Sequence, residues 1–288
     1  MFISAQCAFE KANKCFEKKR PFFFAFDYEL KNAIFLEEKD FENPRVKFKV
    51  GKFSNYVPRA CHLKFPQIRP KPISFKSYQK KFDAVKKSIM RGDSFLANLT
   101  IKTPIFSEAS LREIFESAQA KYILFVSGKF LSFSPETFVK TNDGKIFSNP
   151  MKGTASLSEK NSAKNLENSE KEIREHNTIV DLIRNDLNFA ATGVRLNKFR
   201  YAEEIKRLGA PNLLQTSSEI CGNICKKKFS EIIKPMLPAG SISGAPKTKT
   251  VEILKKAEGE NRNFYTGIFG MFDGENLDSA VAIRFIEQ

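Results

Sequence analysis

The stretch Glu175-His176-Asn177-Thr178-Ile179-Val180-Asp181-Leu182-Ile183-Arg184-Asn185-Asp186 decides the fold of this chain. Its apolar residues recur at three- and four-residue spacing, and Ile173 and Leu187 continue the pattern on either side. This periodicity predicts one amphipathic helix over about 170–190, with a single buried face.

Two carboxylates, Glu172 and Glu175, lie on one side of this predicted helix, because residues three apart are neighbours on a helix surface. Such a pair offers the hard oxygen ligands that Mg²⁺ prefers. Ordinary roles compete with metal binding. Ser169 stands three residues before Glu172 in the pattern of a capping box, and Glu175 suits a solvated helix face. The spacing alone leaves both interpretations open.

Upstream, the segments 132–138 and 149–154 flank an Asn-Asp-Gly turn at 142–144, which predicts a β-hairpin. With a three-residue loop, Glu136 would face position 150, and Lys152 would be its diagonal neighbour on the same face. A carboxyl group beside an amine is suited to acid–base and nucleophilic chemistry. The alternative is a surface cross-strand ion pair.

Downstream, Pro238-Ala239-Gly240-Ser241-Ile242-Ser243-Gly244-Ala245-Pro246-Lys247 leads into a predicted helix over 246–258. Backbone N–H groups at such a junction can bind an anion, although an ordinary loop would look the same. The segment from Tyr265 to Arg284 ends in a strand whose guanidinium could hold a carboxylate. The alternative for that segment is a hairpin with a surface arginine.

Taken together and in this order, these segments resemble the chorismate-utilising enzymes. That family carries SPE, PIKGT or PIAGT, EHxMIVDLxRND, PxGSxSGAPK, YxGxxG and IR. The matching residues here are Ser134-Pro135-Glu136, Met151-Lys152-Gly153-Thr154, 175–186, 238–247, 265–270 and Ile283-Arg284, and 92–100 is similar to the family's GDxxxxNL strand. The resemblance covers about residue 75 to the end.

The mixture of helices and strands without a βαβ rhythm indicates an α+β fold. The resemblance implies two packed antiparallel β-sheets with outer helices, in α/β/β/α layers. Residues 1–74 are then an N-terminal β-rich part of the same fold plus a connector, and 75–288 are the chorismate-binding catalytic domain. Aromatic-rich strands such as 21–26 support the β-rich prediction.

Lys152 decides which branch of the family the chain is expected to join. Component I of aminodeoxychorismate synthase has lysine at this position, whereas component I of anthranilate synthase, the main alternative, typically has alanine. The resemblance implies that Lys152 attacks C2 of chorismate while the C4 hydroxyl leaves, and ammonia then adds at C4 and expels the lysine. The water-adding members use a lysine base where this chain has Leu96.

The remaining roles follow from the same resemblance. Glu136 is expected to be the general acid or base at the ring hydroxyl. Glu175, with Glu172 beside it, is expected to bind Mg²⁺, which would hold the ring carboxylate. The expected substrate-binding residues are Tyr265, Arg284, Ser243, Gly244, Thr154 and Gln215, the last standing where many members have histidine.

Composition restricts the other function classes. Lys plus Arg number 48 against 33 for Asp plus Glu, giving a formal charge of +15, but the lysines are scattered, without a nucleic-acid-binding motif. No apolar run is long enough to span a membrane. The five cysteines form no Cys-x-x-Cys pair and no secretory segment is evident, so we expect a cytoplasmic protein with reduced thiols.

Nothing in the sequence suggests a glutaminase site, so the expected partner is a glutamine amidotransferase subunit that supplies ammonia. His62 is expected to be structural or on the surface. Family members also continue past the IR strand into a glycine-rich strand and a helix with a further Glu, whereas this chain stops at Ile286-Glu287-Gln288. The C-terminal strand and helix are thus expected to be missing. The chain is then expected to bind Mg²⁺ and chorismate poorly and to turn over slowly, and an alternative role is a non-catalytic subunit that binds the amidotransferase.

Overall fold

The computed structural model describes residues 2–57, 67–158, 166, 168–205, 211–226 and 228–288. His62 and Cys61 lie outside the described residues. The α-helices are α1 (Ala5–Glu17), α2 (Phe75–Met90), α3 (Leu111–Ser117), α4 (Glu170–Asn188), α5 (Phe229–Ile233) and α6 (Lys247–Glu258). No helix in the described ranges is long and apolar enough to cross a membrane.

The strands in the first half of the chain are β1 (Phe2–Ser4), β2 (Phe22–Phe26), β3 (Asn32–Glu37), β4 (Val46–Val50), β5 (Phe53–Ser54), β6 (Ile68–Pro70), β7 (Leu96–Ala97), β8 (Ile105–Ser107), β9 (Tyr122–Val126), β10 (Phe130–Ser134), β11 (Thr137–Asn142) and β12 (Lys145–Ser148). Those in the second half are β13 (Met151–Ser156), β14 (Ala191–Ile205), β15 (Leu213–Ile224), β16 (Gly244–Ala245), β17 (Ile268–Phe272), β18 (Leu277–Val281) and β19 (Phe285–Glu287).

The larger sheet has ten strands, and the pairings that order them are antiparallel. It runs from β1 through β3, β2, β17, β18, β11 and β12 to β15. The long strand β15 pairs with β14 along one side and with β12 and β13 in succession along the other. The N-terminal strand β2 pairs directly with β17, so both ends of the chain contribute to one sheet.

A five-stranded antiparallel sheet, in the order β19-β10-β9-β4-β5, packs against the larger one. The rings of Phe23 on β2 and Phe48 on β4 stack across the interface with centroids 4.1 Å apart. Helices α1, α4 and α5 pack on the outer face of the larger sheet. On the smaller sheet, Phe115 of α3 stacks on Phe125 at 4.6 Å. The predicted α+β arrangement in α/β/β/α layers is confirmed.

Several local predictions need correction. The β-rich N-terminal part contains helix α1, whose buried stripe of Ala5, Ala8, Phe9 and Ala12 has helical spacing, and Ser4 caps its N-terminus. The hairpin segment over 132–138 is divided between two strands, β10 and β11, since Pro135 lacks the N–H needed to continue the ladder.

The hairpin around 142–144 forms, but with a different register. Asp143 and Gly144 both have positive φ, as a two-residue type I′ turn requires, and Asn142 lies opposite Lys145. The predicted three-residue loop is therefore wrong by one residue. Moreover, β13 pairs with β15 rather than with β11, so Lys152 is not a cross-strand neighbour of Glu136.

Candidate active site

Glu136 lies in the short break between β10 and β11. Its backbone N–H donates to Ser134 Oγ (3.1 Å), and its carbonyl oxygen accepts from the N–H of Val281 (3.2 Å). Its carboxylate Oε1 accepts a 2.6 Å hydrogen bond from Ser241 Oγ. Burial raises the pKa of Glu136, although the Ser241 hydrogen bond and the charges of Lys152 and Arg284 oppose the shift. The carboxyl group therefore keeps its proton to a higher pH than an exposed glutamate.

Lys152 is half-buried in β13, where it lies opposite Thr216 of β15. Its charge lowers the pKa of Glu136 from one side and the pKa of His176 from the other. The amine is therefore close enough to act electrostatically on both groups. Lys152 thus acts on Glu136 through its charge, from a strand that pairs with β15 and not with β11. Their joint role in catalysis stays a prediction.

His176 lies behind this strand on α4 and is only 1% exposed. Its Nε2 is 2.6 Å from Ser218 Oγ on β15. Burial, with the charges of Arg200 and Lys152, lowers the pKa of His176 to about 4. The imidazole is therefore neutral at pH 7 and joins α4 to the strand that supports β13.

Glu172 and Glu175 occupy different environments on α4. Gly153 has φ +76°, and a Cβ built there would lie 3.0 Å from Oε2 of Glu172, so this carboxylate points at the strand that carries Lys152. Glu175 is exposed, one turn further on, with Oε1 3.9 Å from Nζ of Lys171. Ser169 caps the helix by accepting the N–H of Glu172, whereas the Glu172 side chain takes no part in the cap.

Arg284 lies in the loop after β18, and Tyr265 lies in the segment before β17. Arg284 is exposed, has φ +55°, and its charge lowers the pKa of both Glu136 and Tyr265. Burial is the main cause that raises the pKa of Tyr265, which keeps its phenol neutral. Arg284 is thus close enough to both Glu136 and Tyr265 to act on them through its charge.

The other predicted substrate-binding residues make contacts within the fold and none to Glu136 or Lys152 among the described side-chain hydrogen bonds. Ser243 is fully buried and its hydroxyl donates to the carbonyl oxygen of Ala239 at 2.8 Å. Gly244 packs so closely on β7 that a Cβ would lie 2.0 Å from the carbonyl oxygen of Leu96. Thr154 of β13 lies opposite Gln215 of β15, two residues beyond Lys152 along β13. Their roles toward substrate remain predictions.

The sequence profile of the family described as "chorismate binding enzyme" matches residues 57–288. The chain belongs to this family. An "Uncharacterized PabA-like protein" of Haemophilus influenzae is 42% identical over 284 residues, which cover 97% of this chain and 85% of the relative.

Two relatives of named activity are less similar. "Anthranilate synthase component 1" of Archaeoglobus fulgidus is 30% identical, with 80% of this chain and 59% of the relative covered. "Aminodeoxychorismate synthase component 1" of Bacillus subtilis is 29% identical, with 75% and 48% covered. The isochorismate synthase MenF of Escherichia coli superposes with a TM-score of 0.70 at 14% identity, covering all of this chain and 75% of MenF, which shows the shared fold.

Binding of Mg²⁺ by Glu172 and Glu175 stays a prediction for this chorismate-binding enzyme. In the part of the chain that the structure describes, no hydrogen bond or ion pair engages the Glu172 carboxylate, and no cluster of three or more His, Cys, Asp or Glu forms. Mg²⁺ is commonly held by one or two carboxylates and completes its coordination with water and substrate oxygens. Glu172 and Glu175 suit that mode of binding.

Three residues at the site were not predicted from sequence: Ser241, Asp186 and His176. Ser241 binds Glu136, while Asp186 pairs with Lys247 and binds the N–H of Gly240. All three lie inside the segments that carried the family resemblance, so that resemblance was the available signal. Their roles depend on contacts between segments far apart in sequence.

Proposed function

We propose that this chain is component I of an aminodeoxychorismate synthase, which converts chorismate and ammonia to 4-amino-4-deoxychorismate. The observation that supports the proposal is a carboxyl group, Glu136, whose pKa is raised by burial and which feels the charge of the amine of Lys152. A nucleophile and a proton donor on two separate elements suit displacement of a poor leaving group such as hydroxide.

In the proposed reaction, the amine nitrogen of Lys152 forms a bond to C2 of chorismate while the C4–O bond breaks. Glu136 gives its proton to the departing oxygen, which leaves as water. Ammonia then forms the C4–N bond as the C2–N bond to Lys152 breaks, and the Glu136 carboxylate takes up a proton released from the added nitrogen. Lys152 and Glu136 return to their starting states.

Substrate binding is proposed to rest on two sets of charges. Arg284 would pair with the enolpyruvyl carboxylate, with the Tyr265 hydroxyl as a further donor. Glu175 and Glu172 would hold Mg²⁺, which when bound supplies positive charge for the ring carboxylate. We place the reaction in the cytoplasm, with ammonia from a glutamine amidotransferase subunit and p-aminobenzoate and folate synthesis as the destination of the product.

Anthranilate synthase component I is the second candidate, favoured by the 30% identity to the A. fulgidus protein. Product identity separates the two. Incubation of the full chain with chorismate, ammonium and Mg²⁺ should give 4-amino-4-deoxychorismate, which a lyase converts to p-aminobenzoate. Formation of anthranilate together with pyruvate would instead support the second candidate.

Glu136→Gln is expected to lower kcat by about 10²- to 10⁴-fold, because amide cannot donate the acid proton. In the unaltered enzyme, kcat should fall as pH rises through the raised pKa of Glu136, where the carboxyl loses its proton. This alkaline decline should be absent from the residual activity of the variant. Glu275→Gln, at an exposed turn, is the control, and an unchanged pH profile in Glu136→Gln would contradict the assigned role.

Gly153→Ala tests the metal ligands. The added Cβ would meet Leu166 Cδ1 at 2.7 Å and Glu172 Oε2 at 3.0 Å, so the carboxylate must move, and Mg²⁺ binding measured by calorimetry should weaken by about 10-fold or more. Gly128→Ala is matched, since Gly128 also has positive φ but nothing lies within 4 Å of its Cβ position. Equal Mg²⁺ affinity in the two variants would argue against Glu172 as a ligand.

A further inference from the structure

A buried ion pair joins α4 to the start of α6, outside the set of groups used in the proposed reaction. Asp186 Oδ1 lies 2.6 Å from Nζ of Lys247, and the two side chains are only 10% and 19% exposed. Burial raises the pKa of Asp186, and the charge of Lys247 opposes that shift. Charged groups this buried are costly to desolvate unless they are paired and hydrogen-bonded.

Both members of the pair also bind the backbone of the loop that leads into α6, residues 236–247. Oδ2 of Asp186 accepts the N–H of Gly240 at 3.1 Å, and Nζ of Lys247 donates to the carbonyl oxygen of Met236 at 2.8 Å. A Cβ on Gly240 would lie 2.8 Å from Oδ2 of Asp186, so the loop backbone lies directly against the carboxylate. The ion pair therefore fixes the loop at its first residue, in its middle and at its end.

The residue after Gly240 is Ser241, whose hydroxyl donates to Glu136 Oε1 at 2.6 Å. Glu136 and Ser241 line one small pocket of about 20 Å³ together with Asp186 and Ser148. The charged groups that face Glu136 are Lys152 from β13 and Arg284 from the loop after β18, with Asp186 across the pocket from α4. Ser241 is the one hydrogen-bond donor to the carboxylate among the described side chains.

We propose that the Asp186–Lys247 ion pair is a positioning device for the acid: it holds Gly240, and through it Ser241, so that the Glu136 carboxyl stays in one orientation. The inference rests on the proposed function only for its kinetic consequence. A hydrogen bond from Ser241 favours the ionised form of Glu136. Loss of that bond should therefore move the alkaline decline of kcat to higher pH.

The test is a double-mutant cycle between Lys247→Met and Ser241→Ala. Each single variant should lower kcat by about 10-fold, with KM for chorismate little changed, and should move the alkaline decline upward by about one pH unit. If Lys247 acts through Ser241, the double variant should match the larger single effect. Additive effects, or a Lys247→Met profile that coincides with that of the unaltered enzyme, would overturn the proposal.

Three further variants guard against a merely structural explanation. Lys249→Met removes an exposed lysine of α6 that is 3.5 Å from Glu252, and it should change neither kcat nor the pH profile. Asp186→Asn serves as the second route to the same result if Lys247→Met does not fold. Lys247→Arg should restore part of the normal pH profile, because a guanidinium can still pair with Asp186.

A readout without turnover separates this inference from the proposed function. The protonated Glu136 carboxyl can be followed by isotope-edited infrared spectroscopy, with Glu136→Gln identifying its band. The pH at which that band disappears should rise in Ser241→Ala and Lys247→Met alike. If the band behaves in this way while no variant makes 4-amino-4-deoxychorismate, the proposed function fails and the positioning device stands. If product forms but the band is unmoved in Lys247→Met, the positioning device fails.

Discussion

Lys152→Ala is expected to abolish formation of 4-amino-4-deoxychorismate, with a loss of roughly 10⁴-fold or more in kcat. An alanine methyl group can form no bond to C2 of chorismate. The substrate carboxylates are assigned to Arg284, Tyr265 and the metal ligands, so chorismate binding should weaken much less. Discontinuous product analysis and equilibrium binding measure the two quantities separately.

Lys49→Ala is the control for Lys152→Ala, because Lys49 is also a half-buried lysine in the middle of a strand, but it lies in the smaller sheet. It should retain normal activity. Full activity in Lys152→Ala would remove the covalent step from the mechanism. If the Lys152→Ala variant forms anthranilate in place of 4-amino-4-deoxychorismate, the lysine selects the position of amination.

Arg262→Met is expected to lower the free energy of unfolding by about 3–5 kcal/mol, because it breaks a buried ion pair. Arg262 and Glu258 are 5% and 4% exposed and are joined by two hydrogen bonds of 2.5 and 2.9 Å. The guanidinium also donates to the carbonyl oxygens of Ile242 and Asn98. Methionine fills similar volume but leaves the Glu258 carboxylate buried without its cation. Urea unfolding at pH 7 measures the change.

Arg112→Met is the matched control for Arg262→Met. Arg112 and Glu116 have the same four-residue spacing, but their side chains are 64% and 26% exposed, so the loss should be below about 1 kcal/mol. The combined variant Arg262→Met with Glu258→Leu should recover part of the stability, because it removes the stranded charge. Equal losses from the two arginine variants would show that burial does not set the strength of this pair.

The fold was largely accessible from sequence because its strongest signals are local. Helix α4 begins and ends within two residues of its predicted bounds. Its apolar spacing and its Ser169 cap both depend only on residues that are close together in the sequence. In helix α2, Phe82, Val85 and Ile89 have helical spacing, yet Phe82 is 45% exposed and Ile89 36% exposed. Periodicity identifies a helix but does not tell which apolar residues a neighbour covers.

The site was only partly accessible, because its geometry depends on pairing between distant segments. Glu136 and Lys152 were paired by assuming a hairpin, whereas β15, which begins at Leu213, is the strand that places β13. Ser241 and Asp186 could be assigned no contact before their loops were placed. By contrast, the type I′ turn at Asp143-Gly144 could have fixed the register, since that dipeptide favours a two-residue loop.

The pairing of β2 with β17 also constrains how the chain is made. Every residue of β2 is buried and four of the five are phenylalanine, yet Phe22 pairs with Phe272, so nearly the whole chain is synthesised before this strand meets that neighbour. Contacts of such high sequence separation slow folding, and an uncovered apolar strand favours aggregation meanwhile. Yield of the native protein should therefore depend on growth temperature and on chaperones that shield the emerging N-terminus.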